Sequence, residues 1–279
     1  KLRRCAFVAC RAGVGDVFRN IGERAFRRIM ITYLITPDES GLFAALFYAY
    51  KTKKFPIKVV SEKVQLSFTD EMIIIPVNAA EVARVKKGLY SVATKNVVSD
   101  VKIALKSGES NKLTVIFNYL RAVVDDKARD ISKNFAMPSV LAFSDLIRRI
   151  YFETHKMKGF LRFEESEKGF LYAHYAPDND ITEYLAPHFV ARFSSIPFVI
   201  HDVKRNVVFM YDGKASKTIN AGASTVTVYL SENEKNFRNL WRTYYDSITI
   251  AERKNEKQMY AYMPRRYHEH LPEKNRPPE

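Results

Sequence analysis

The periodicity of the chain changes sharply at Gly159, and that change narrows the architectures open to it. Upstream, Val140, Phe143, Ile147, Ile150 and Tyr151 recur at helical spacing after Pro138. The spacing predicts a helix over 138–157, with Gly159 free to take the left-handed conformation that ends it. Downstream the pattern alternates. Residues 159–165 and 170–176 flank Glu167-Lys168-Gly169, and 196–201 and 207–211 flank Val203-Lys204-Arg205-Asn206. Each pair reads as a hairpin, with further strands at 216–219 and 225–230. About six strands segregated from helices imply an α+β fold, with a central antiparallel or mixed sheet covered on one side.

The chain before that helix reads as a strand and a helical layer. Residues 31–35 are a strand. Thr36 is expected as the cap of the next helix, with Pro37 at its first position and Glu39 as the reciprocal acid. Leu42, Phe43, Leu46, Phe47 and Tyr50 form its apolar face, and Lys51, Lys53 and Lys54 suit its negative end. Residues 57–60 and 72–75 read as short strands or buried turns. Residues 78–127 read as helical with a break at Ser107-Gly108-Glu109-Ser110, and no chemistry is expected there. The expected division is thus 30–157 mainly helical, 158–271 sheet plus helices with the candidate site, and 272–279 a disordered tail. Residues 1–29 hold eight basic and two acidic residues, and read as a basic extension ahead of a start at Met30.

Composition bounds the function. The chain of 279 residues is 47% hydrophobic and 13% aromatic, enough for a sizeable core. Its formal charge of +14 points to a polyanion, with nucleic acid ahead of an anionic membrane surface. No apolar run approaches the roughly 20 residues that span a bilayer, so no membrane is expected and the protein is placed in the cytoplasm. The only cysteines are Cys5 and Cys10. This excludes a disulfide framework, a cysteine-rich metal site and a cysteine nucleophile in the body of the chain.

Residues capable of chemistry concentrate between His155 and Asp212. Four of the six histidines lie there: His155, His174, His188 and His201. No P-loop, dinucleotide fingerprint, zinc-protease motif or nucleophile elbow accompanies them. His201 beside Asp202 could form a general base with an orienting carboxylate, although neighbours on a strand point to opposite faces. His155 falls on the edge of its helix stripe, near Lys158. Asp178 and Asp180 form an Asp-x-Asp that could hold a divalent cation, but Asp180 with Glu183 is a capping pattern. No metal or cofactor is therefore assigned. Pro187 is expected to kink or restart a helix, with His188 and Arg192 one turn apart on one face. Asp212-Gly213 signals a tight turn.

Ser231 and Glu234 open a further helix by the capping-box pattern. Phe237, Leu240, Trp241, Tyr244 and Ile248 recur along it, and Trp241 is expected to anchor a core. After a polar helix over 253–262, Arg265, Arg266 and Tyr267 suit phosphate contact and stacking on a base.

The segments HKMKGFLRF, LAPHFVARF, PFVIHDVKRNVVFMYDG, LWRTYYDSITIAERKN and MPRRYHEHL carry a resemblance. Over nearly all of 30–279 the chain resembles the bacterial "probable DNA metabolism protein" family. Its members are encoded beside a DNA modification or repair radical-SAM protein. Some carry the module fused to a uracil-DNA glycosylase-like domain, which this sequence does not show. The resemblance includes His155, Lys158, Arg162, Asp178, Asp180, His188, Arg192, His201, Asp202 and Arg205. It also includes Trp241, Arg253, Asn255, Pro264, Arg265, Arg266 and Tyr267. It implies DNA metabolism or repair, with DNA and a radical-SAM protein as partners. Three functions follow as expectations. One is a DNA-binding accessory that meets phosphates through Lys158, Arg162, Arg192, Arg205, Arg253, Arg265 and Arg266, with Tyr267 stacking. The second is a nucleic-acid-processing enzyme using His201, Asp202, His155, His188 and Asp178. The third is a protein-interaction scaffold.

Overall fold

A short strand, β1 (Ile31–Leu34), forms the centre of the first sheet. In the computed structural model, which describes residues 30–65, 70–92, 96–126, 130–223 and 226–275, β1 pairs in parallel on both sides. Its neighbours are β2 (Lys58–Val60) and β3 (Glu71–Ile74). Parallel pairing needs a crossover, and α1 (Glu39–Thr52) supplies the one from β1 to β2. The cap of α1 corrects the sequence expectation. Asp38, not Thr36, accepts from the Gly41 N–H at 2.7 Å, and the Thr36 hydroxyl donates to the Asp38 carboxylate at 2.9 Å. Thr36 thus steadies the cap from two residues further out, and Pro37 lies ahead of the cap and not at the first helical position.

Helices α2 (Ala79–Val92), α3 (Val97–Leu105) and α4 (Lys112–Asp125) complete this layer, with the expected break between α3 and α4. The next helix, α5 (Pro138–Phe160), lies against α4, where Tyr119 and Phe143 stack at 3.8 Å between ring centres. It runs past its expected end. Gly159 lies inside its last turn and Leu161 is the extended cap. Its buried stripe is Val140, Phe143, Leu146, Ile150, Glu153, Thr154 and Met157, so Tyr151 and His155 face solvent. The first core ends on α5 at Leu146 and the second begins there at Ile150.

The second sheet is mixed. It contains β4 (Glu164–Glu165), β5 (Leu171–Tyr175), β6 (Phe198–Asp202), β7 (Val207–Tyr211) and β8 (Ser216–Asn220), in that spatial order. Only the β5–β6 pair is parallel, with α6 (Thr182–Phe193) as its crossover. The β6–β7 hairpin falls where the alternation predicts it. In the first hairpin only Glu164–Glu165 of the expected 159–165 strand pairs with β5, because α5 runs on to Phe160. The sixth strand does not form: residues 226–229 are irregular, and Leu230 makes a single bridge to Ser166. α6 passes through Pro187 without restarting. The proline ring removes one backbone donor, while Leu185, Ala186 and Phe189 are buried around it and hold the helix in place.

Two further helices follow, α7 (Glu232–Ser247) and α8 (Glu256–Tyr262), and then a 3-10 segment over Arg265–His270. Ser231 caps α7 by accepting from the Glu234 N–H at 3.1 Å, but the Glu234 carboxylate turns to the Glu165 N–H instead of back to the cap. No residue of α7 is buried, so Trp241 is not the core anchor its spacing suggested. The segment 272–275 is tied down, contrary to the expected tail. Buried Glu273 pairs with Arg162 at 2.8 Å and accepts from the Trp241 indole N–H at 3.0 Å. The basic stretch 1–29 and the final residues 276–279 lie outside the described residues. Among those described, no helix is long and apolar enough to cross a membrane.

Candidate functional site

His201 and Asp202 do not act on each other. At the end of β6 their side chains leave opposite faces of the sheet. His201 Nδ1 lies 2.8 Å from the Tyr172 hydroxyl, and Nε2 lies 2.8 Å from Asn206 Oδ1. The Asn206 amide nitrogen donates to the Gly222 carbonyl, which fixes the orientation of that amide. Hydrogen-bond logic then assigns the proton to Nε2, with Nδ1 accepting from Tyr172. Both ring nitrogens are committed. Asp202 is fully buried and accepts from the Lys204 and Arg205 N–H groups and from the Arg205 guanidinium. Burial pushes its carboxyl above the usual range, and the Arg205 contacts oppose that. It clamps the β6–β7 turn.

A second set of polar residues holds the loop between β5 and α6. Glu153, buried on α5, accepts from the Asp178 and Asn179 N–H groups, the Asn179 side-chain amide and the Tyr267 hydroxyl, all within 2.6–2.8 Å. Arg205 donates to the carbonyls of Pro177 and Asp178. Lys106 meets Asp180 at 2.9 Å, so Asp180 is a tether and Ile181 occupies the cap of α6. The break at 106–111, expected to be without chemistry, therefore packs on the candidate region. Asp178 meets Arg266 at 2.7 Å and Lys204 at 3.8 Å. The two aspartates are thus engaged by different cations, and no metal-like group of His, Cys, Asp and Glu gathers among the described residues. Tyr267 is 3% exposed, which withdraws it as a stacking platform.

Three predicted cations do converge. Lys158 at the end of α5, Arg162 just after it, and Arg192 on α6 line one cleft of about 1190 Å³ between the second sheet and α7. Phe163, Phe189 and Phe193 pack on one side of it, with Phe163 4.8 and 4.7 Å from the other two rings. Phe237, Leu240, Trp241 and Tyr244 of α7 face it while remaining 40–64% exposed. Arg162 is paired with Glu273 and also lies over the Trp241 ring at 5.7 Å. Arg238 of α7 also lines the cleft and pairs with buried Glu164. Lys158 and Arg192 make no ion pair among the described residues. His188 lies near both. Burial, followed by the charges of Lys158 and Arg192, holds it below the ordinary histidine range.

The other predicted residues lie apart from this cleft. His155 is exposed on α5. Arg205 and Arg266 belong to the loop clamp. Arg265 lies over the Tyr260 ring at 4.5 Å, and Arg253 lines a separate depression beside α8. The sequence reading missed Glu153 and the aromatic face of α7. Glu153 carries a signal, being an acid on the apolar stripe between Ile150 and Met157. The α7 stripe carries none, because the same spacing marks a core.

The fold and cleft together define a basic α+β protein with a cation-rimmed aromatic groove. The domain family of unknown function DUF4130 matches residues 110–273, more than half of the chain, and the chain belongs to that family. That span contains every residue lining the large cleft and leaves out the first sheet. No curated protein and no solved structure matches the chain.

Proposed function

We propose that this protein binds single-stranded DNA in the cleft between α7 and the second sheet, as an accessory in DNA metabolism or repair. The observation that supports this most is the meeting of Lys158, Arg162 and Arg192 on one cleft whose walls carry aromatic rings. Cations that follow a backbone, beside rings on which unpaired bases stack, are the two elements of single-strand binding. Paired bases already stack on each other, so a duplex gains less from such walls. Binding is favoured over catalysis because both ring nitrogens of His201 are used internally. The formal charge of +14 adds attraction for any polyanion. A radical-SAM partner rests on the resemblance alone, and co-purification of such a protein with this chain tests it.

The direct test is fluorescence anisotropy of the full chain with labelled single-stranded and duplex DNA at two salt concentrations. Changing Lys158→Ala and Arg192→Ala together is expected to weaken single-strand binding. It should also flatten the salt dependence by about 1.4, from about 0.7 per lost phosphate contact. Trp241→Ala should cost affinity on the scale of one stacked base, about 1–3 kcal/mol, without flattening that slope. No single-strand binding at low salt, or binding indifferent to both changes, rejects the reading.

A further inference from the structure

A second pocket, of about 510 Å³, lies on another side of α5. Arg149 and Glu153, like Phe152 and Lys156, are four residues apart, so the four share a face of that helix. Lys204 and Arg266 reach the same pocket from the β6–β7 turn and the C-terminal segment. Its floor is closely built. Gly108 donates its N–H to Asn179 Oδ1 at 3.0 Å, and a Cβ there would lie 2.2 Å from the Asp178 carbonyl oxygen.

The charges in this pocket are not settled by the protein alone. Glu109 is paired with Arg149. Glu153 is committed to four hydrogen bonds. Lys156 lies over the Phe152 ring at 4.7 Å and makes no ion pair among the described residues. Lys204 and Arg266 share the carboxylate of Asp178, whose side chain is 49% exposed. The Asp178 backbone holds the loop through Glu153 and Arg205, while its carboxylate makes surface ion pairs and can turn to solvent. With that carboxylate turned out, four cations face two carboxylates. The deficit of two negative charges equals the charge of a phosphate monoester above its second pKa near 6, and inorganic phosphate is mostly the same dianion at pH 7.5.

We propose that this pocket binds a phosphate dianion, and that Asp178 occupies the anion's place until it arrives. The inference does not rest on the DNA reading of the other cleft. It makes a prediction of unusual sign: removing a charged pocket residue strengthens binding.

The experiment is calorimetric titration of the full chain with sodium phosphate at pH 7.5, against sodium chloride at equal ionic strength. Asp178→Asn is expected to tighten phosphate binding about fivefold, the scale of one exposed charge contact. Lys156→Ala with Lys204→Ala is expected to weaken it at least tenfold, and thermal melting of each variant confirms that it is folded. An oligonucleotide with a 5′-phosphate, compared with its 5′-hydroxyl twin, identifies the source. Extra affinity that disappears in the lysine variant marks a strand end, and phosphate binding without it marks a free anion; both place phosphate in this pocket. Phosphate binding no better than chloride, or Asp178→Asn leaving it unchanged or weaker, overturns the proposal.

Discussion

The two cores of this protein are built on different principles. Around β1, α1 and α4 the core consists of apolar side chains, and among the described residues Thr32 and Ser107 are the buried polar side chains of that half. Around β5 and β6 the apolar core is laced with buried Glu153, Glu164, His201, Asp202 and Glu273. Each has a partner: Tyr267 and the 178–179 loop, Arg238, Tyr172 and Asn206, Arg205, and Arg162. Apolar packing is non-directional and tolerates many loop paths. A buried carboxylate that needs several donors does not. The difference teaches that the second half uses polar burial to fix where its loops and its C-terminal segment run. Those loops form the walls of both pockets.

The sharpest way to break this comparison is to damage each core by its own chemistry. Phe117 is 1% exposed, with its ring against Tyr33 in the first core. Phe117→Ala should cost about 3–5 kcal/mol in a denaturant melt, through lost transfer energy and the cavity left behind. Next in size is Glu153→Gln. The amide keeps one acceptor oxygen but turns an NH₂ group toward donors that Glu153 now satisfies. The expected cost is about 1–3 kcal/mol. Amide exchange at Asp178 and Asn179 should quicken while the first core stays protected. Equal quickening in both halves would mean that Glu153 is ordinary core and that the contrast is false.

The smallest effect is one of pH. His174 and His270 meet edge to face, 4.9 Å between ring centres, where β5 touches the 3-10 segment. Among the described residues neither His270 ring nitrogen makes a well-formed hydrogen bond, and the Glu269 carboxylate lies 3.1 Å from Nε2. Burial is the main cause that lowers both histidines from the ordinary value of 6.5. Glu164 opposes it at His174, and His174 adds to it at His270. The folded state therefore binds fewer protons than the unfolded state just below pH 6.5, so stability falls as pH drops through that region. Urea midpoints at pH 8, 7 and 6 should show it, and His270→Gln should flatten the decline. A decline of unchanged slope would place the acid sensitivity elsewhere.

Much of the fold was legible in the sequence. The start of α5 at Pro138, the hairpins around Gly169 and 203–206, the Ser231 cap and the turn at Asp212 all depend on residues within a few positions of one another. The candidate site was legible only in part. Lys158, Arg162 and Arg192 were identifiable as cations, but their convergence depends on α6 crossing between two parallel strands. His201 and Asp202 looked like a pair because they are adjacent, and the pleat separates them. Tyr267 looked like an exposed platform because arginines and histidines surround it, and Glu153, 114 positions away, drew it inside.

The sequence by itself determined the class of fold, the order of most elements and a strong positive charge, because backbone periodicity and capping act over a single turn. Only the tertiary structure decided that the aromatic face of α7 stays open, that Glu153 gathers the 178–179 loop, and which cations share a pocket. Those outcomes depend on which distant surfaces meet. Hydrophobic spacing states that a face is apolar without stating what will cover it.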